Sequence, residues 1–114
     1  MSYEDIIIKK VPVTGARANT VEVKVSYNIG RMNYFAGAVE TRGVYIHVTP
    51  YEQYEGGRVY TGFSGVKSCI LECTRYSKKK MQQAVDELDM AWVDNIVDHV
   101  INKNQLTKVE EDEQ

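Results

Sequence analysis

Apolar and polar residues alternate cleanly in the N-terminal part of the chain. Val21, Val23, Val25, Tyr27 and Ile29 are separated by Glu22, Lys24, Ser26 and Asn28, the period-two pattern of a half-buried strand. Val44, Ile46 and Val48 repeat it, with Tyr45 and His47 pointing the other way and Pro50 expected to end the strand. Residues 3–13 suggest a first strand carrying Ile6, Ile7 and Ile8, with Pro12 at its edge or exit. Gly30 to Asn33 reads as a turn leading into Tyr34–Val39, where Gly37 marks a bulge. After a polar loop over Tyr51–Gly57, Arg58 to Phe63 returns as a strand with Val59, Thr61 and Phe63 on one face and Arg58 and Tyr60 on the other. Val66 to Cys73 is apolar on both faces and is expected to be a central strand.

From Tyr76 to Asn104 the period changes. Ser77 is an N-cap candidate, and Met81, Ala84, Val85, Leu88 and Trp92 fall on one stripe of a helix. Beyond Trp92 the apolar positions Val93, Ile96, Val97, Val100 and Ile101 spread over more than half the circumference. That surplus is read as a partner-facing patch, most simply a homodimer interface made with the same helix of a second copy. A bend in the helix, or the first strand wrapping over it, would consume the same surface. The expected fold class is α+β: an antiparallel meander sheet of four to five strands covered by one long C-terminal helix. Residues 1–104 form the domain, and 105–114, ending Glu110-Glu111-Asp112-Glu113-Gln114, form a disordered acidic tail.

Composition narrows the class without naming an activity. With 114 residues the chain makes one domain, and 43% apolar with 26% charged residues is the balance of a globular protein. The longest apolar run, Ile6 to Ile8, is too short to span a bilayer, and the acidic start resembles no signal peptide. A cytoplasmic location with no membrane partner is therefore expected. Cys69 and Cys73, four apart on one strand, would sit about 13 Å apart, beyond disulfide reach, and are read as free thiols. The net charge of −2 conceals a split. Residues 1–80 carry twelve Lys/Arg and seven Asp/Glu (12 − 7 = +5), and residues 81–114 carry two and nine (2 − 9 = −7).

Catalytic constellations are thin. His47 and His99 lie in different elements, Gly62 to Val66 lacks the last glycine of a nucleophile elbow, and no phosphate loop, dinucleotide fingerprint or zinc spacing is present. No enzyme, cofactor or metal is expected. The basic, aromatic sheet face is the better lead. If Val44, Ile46, Val59 and Phe63 face the helix, then Tyr45, His47, Arg58 and Tyr60 share the opposite face, joined by Lys24 if Val21, Val23 and Val25 also face inward, with Tyr34 and Lys67 as further candidates. Flat rings that stack on bases beside cations that follow phosphates are what single-stranded nucleic acid requires. Solvation of an open sheet face by tyrosine and lysine is the plainer explanation of the same residues. Lys78, Lys79 and Lys80 occupy the first turn of the helix, against the macrodipole, where a bound phosphate would reverse the penalty.

Tyr34-Phe35, Arg42-Gly43-Val44-Tyr45-Ile46, Gly57-Arg58 and Met81 to Leu88 together resemble the layout of the PUR repeat and of the positive-cofactor type of single-stranded-DNA-binding coactivator. The resemblance spans about residues 30–95. It implies helices packed together in a dimer and strands whose open face binds nucleic acid. The residues expected to engage a strand in this chain are Tyr45, Tyr60, Arg42, Arg58, Lys24 and Lys67. The Pro50–Gly57 loop, the strand before Thr14 and the acidic helix depart from that layout. The chain also resembles small proteins carried on bacterial mobile elements. The leading expectation is a non-enzymatic module for single-stranded DNA or RNA. Its rival is an interaction or inhibitor protein whose acidic helix and tail meet a basic partner. A small hydrolase using His47 near the Tyr51–Gly57 loop is a third reading.

Overall fold

The computed structural model describes residues 5–15, 18–32, 39–59 and 65–109. It is an α+β fold in which one antiparallel sheet is covered on one face by two helices. The strands are β1 (Ile6–Thr14), β2 (Thr20–Met32), β3 (Val39–Tyr54), β4 (Gly57–Val59), β5 (Val66–Glu72) and β6 (Thr107–Lys108). The helices are α1 (Lys78–Asp86) and α2 (Met90–Lys103). The sheet order is β4-β3-β2-β1-β6, and β5 pairs β3 on the side shared with β4.

The long antiparallel pair β2–β3 is the spine. It runs without a register break from Thr20↔Tyr51 to Met32↔Val39, so Gly30 to Met32, expected to begin a turn, are strand instead. The proposed strand Tyr34–Val39 and its Gly37 bulge fall almost wholly outside the described residues. Pro50 does not end β3; it is buried opposite Val21. The Asn19 N–H donates to Tyr51 O, which turns residue 51 toward β2. Alternation then points residue 50 at the other edge, between the β5 pairing that stops at Val48↔Val66 and the β4 pairing that starts at Glu52↔Val59. A missing N–H costs no ladder bond there among the described residues.

The side of the sheet under the helices is apolar. Val21, Val23, Val25, Val44, Ile46 and Val48 are buried against Met81, Val93, Val97, Val100 and Ile101. Those last four α2 residues, with the partly buried Ile96, were expected to face a second copy. They lie in the chain's own core, so the surplus that argued for a helix-mediated dimer is used up internally.

The reason is a break in the helix. The single helix expected over Tyr76–Asn104 is two. α1 ends with the Glu87 N–H bonded to Gln83 O and Val85 O, and Asp89 caps α2 by accepting from Ala91 and Trp92. Restarting the helix lets each piece turn its own stripe to the sheet, which leaves Trp92, in the first turn of α2, 38% exposed.

Two further expectations change. β5 is not central, because β3 is its one partner among the described residues. The tail does not begin at residue 105: Leu106 is buried, and Thr107 and Lys108 pair with Thr14 and Val13.

Candidate functional site

The sheet face turned away from the helices carries the polar chemistry. In β2 it presents Glu22, Lys24 and Ser26, and in β3 Tyr45, His47, Thr49 and Tyr51, by the alternation that buries the valines between them. Register aligns these residues into rows. Lys24 lies directly opposite His47, and His47 directly opposite Lys67 on β5. Three basic side chains thus stand side by side across three strands. Like charges so placed oppose pairing.

Local contacts keep the row tolerable. Lys24 Nζ lies 3.5 Å from the Asp5 carboxylate. Lys67 Nζ sits 5.0 Å above the Tyr45 ring centroid, where the ring's negative face stabilises it. His47 Nε2 is 2.7 Å from Ser26 Oγ, a hydrogen bond whose donor follows the imidazole tautomer. Partial burial holds the His47 pKa below its ordinary value of 6.5, Lys24 and Lys67 push it further down, and Asp5 opposes them. The neutral imidazole between two ammonium groups is the arrangement that this face favours near neutral pH.

One row along, the face closes on itself. Glu22 is 4% exposed, and Arg58 donates to its carboxylate at 3.1 Å. The same guanidinium lies 4.6 Å from the centroid of the fully buried Tyr51 ring. Arg58 is therefore spent on a carboxylate and a ring of its own chain.

The predicted residues divide accordingly. Lys24 and Lys67 share the face and the row, and Arg58 shares the face but is committed to Glu22. Tyr45 is on the face yet only 7% exposed, with Lys67 over its ring, so the ring is not presented for stacking. Tyr60 lies outside the described residues. Arg42 alternates onto the side of Val44 and Ile46, away from Tyr45. Lys78, Lys79 and Lys80 are exposed at the start of α1, where the Ser77 hydroxyl accepts from the Lys80 N–H. They belong to the helix layer, on the other side of the sheet from the row. Sequence alternation placed Glu22 and Ser26 on this face as well; Tyr51, expected in a loop, joins it because β3 runs on past Pro50, and the roles of all three required the register between strands.

The acidic half is partly neutralised by its own chain. Lys9 bonds Asp94 of α2, holding that carboxyl below its ordinary range, and Lys108 lies 3.3 Å from Asp98. Residues 110–114 lie outside the described residues. Cys69 is partly buried and Cys73 buried, both as free thiols. Among the described residues no three His, Cys, Asp or Glu side chains converge as metal ligands, and no helix is long and apolar enough to cross a membrane. Comparison with protein-family models, with curated proteins and with solved structures finds no match to this chain.

Proposed function

We propose that the protein is a non-enzymatic module that binds the phosphate backbone of single-stranded nucleic acid on the open sheet face. The observation that carries the reading is the row Lys24–His47–Lys67, three basic groups held directly opposite one another across β2, β3 and β5. An anion laid along the row relieves the mutual repulsion of the two ammonium groups and can accept from both. It also favours the charged imidazole, so binding takes up a proton and tightens as pH falls. An antiparallel sheet with C-terminal helices on one side and polar residues on the other is also the arrangement that the PUR-type resemblance implies.

The mode of binding differs from the stacking platform expected from the sequence. With Tyr45 under Lys67, the contact is electrostatic and carries no base code. The rival reading, an acidic surface for a basic partner, is weakened because Asp94 and Asp98 already have lysine partners.

Fluorescence anisotropy of a labelled oligonucleotide at several salt concentrations tests the proposal. Binding should weaken steeply with salt, and Lys24→Ala and Lys67→Ala should each reduce the log–log salt slope by about 0.7. Inorganic phosphate in excess should compete weakly, since it offers one anion where the strand offers several. Absence of binding at low salt, or a slope unchanged in the double variant, would reject the reading.

A further inference from the structure

β5 is an edge strand: among the described residues its one partner is β3, and its outer edge is uncovered. Exposed edges of this kind template the addition of another strand. The strand reads Val-Lys-Ser-Cys-Ile-Leu-Glu, with two charges of opposite sign near its two ends, Lys67 and Glu72. Among the described residues neither makes an ion pair.

Register decides what such an edge can accept. Lys67 is opposite His47 and Glu72 is opposite Gly43, so both side chains lie on the open face. In a regular strand residues five apart point to opposite faces. Here the register shift opposite Val44 and Tyr45 leaves Ile70 as an extra residue and brings the two charges to the same side. The Cys73 N–H bonds Arg42 O toward β3, so the N–H and C=O of Glu72 turn outward, and alternation from Ser68 turns those of Lys67 outward too.

We infer that β5 pairs with β5 of a second copy, antiparallel and about a two-fold axis between Cys69 and Ile70. In that register Lys67 of each copy meets Glu72 of the other, on the same face and with outward backbone groups matched. Ser68 meets Leu71 on the helix side, where both project. The bulge is what makes this register self-consistent. Without it, opposing charges would lie on opposite faces of the joined sheet. Beneath the edge lies a groove of about 360 Å³ lined by Ile70, Leu71, Ala84, Leu88 and the exposed Trp92, and the joined sheets would shield it from water. The two Lys24–His47–Lys67 rows would then lie on one face, each Lys67 flanked by the other copy's Glu72. The pairing itself stands whether or not that face binds nucleic acid.

Sedimentation equilibrium of the full chain tests this by charge exchange. The unmodified protein should show a reversible dimer at micromolar concentration. Lys67→Glu and Glu72→Lys each turn two symmetry-related pairs repulsive at once and should weaken dimerisation by about tenfold. The double variant K67E/E72K restores both pairs with their signs exchanged and should return the dissociation constant to within about threefold of the original. Circular dichroism verifies that each variant keeps the fold. A chain that stays monomeric, single variants that dimerise as the original does, or a double variant that fails to recover, each overturns the inference. Strand pairing with an unrelated extended peptide would weaken in both single variants without recovery in the double.

Discussion

Glu22 is a carboxylate almost without access to water, near the Thr20 end of the longest strand pair. Its side chain accepts a hydrogen bond from Arg58, which keeps a third of its own side chain in solvent. Losing one partner of a fully buried pair costs about 3–5 kcal/mol, and exposure of Arg58 brings the expected loss for Arg58→Ala nearer about 2 kcal/mol. Urea denaturation should read that loss. Adding Glu22→Gln should recover part of it by removing the stranded charge. His47 has the opposite sensitivity. Its folded pKa is below the ordinary 6.5, so between the two values the unfolded chain binds more protons and stability falls as pH drops through that window. Above 6.5 its contribution is complete. Thermal melts taken from neutral toward acidic pH should show Tm falling, and His47→Gln should flatten the part of the slope that lies in that window.

Two elements depend on single residues at their ends. Asp89 satisfies the Ala91 and Trp92 N–H groups and starts α2. Asp89→Ala should cost about 1 kcal/mol in chemical denaturation, with the loss felt by the buried Val93 and Val97 that follow. Gly43 lets β3 and β5 approach. A Cβ there would lie 2.2 Å from Leu71 O, a backbone atom that cannot swing aside. Gly43→Ala should therefore loosen the β5 end of the sheet, read as faster amide exchange over residues 66–72 than over β2. The helix break left a trace in the sequence, a change of apolar stripe near Trp92 with an Asp three residues before it, yet periodicity alone reads the segment as one helix. Alternation likewise announced β2 and the core half of β3. Pro50 misled because its effect depends on which edge the missing N–H faces, and only the neighbouring strands decide that.

For the whole molecule, the C-terminal segment closes the sheet. Leu106 is buried and β6 pairs with β1, so residues 105–109 act as structure. Leu106→Ala should lower stability by about 2–3 kcal/mol, a loss that an acidic tail detached from the core would not produce. The local content of the fold was legible in the chain: strands, with the apolar valines of β2 and β3, came from period two, and helices from period three to four. The identity of the face residues followed from the same alternation, which is why Lys24 and Lys67 were found together. Periodicity states which way a side chain points relative to its neighbours along the strand and nothing about what stands across from it. Whether Tyr45 lies open or under an ammonium, whether Arg58 meets a phosphate or Glu22, and whether the α2 apolar surface meets a partner or the sheet are outcomes of register and packing between distant segments. Those pairings depend on the relative placement of strands and helices, so tertiary structure alone decided them.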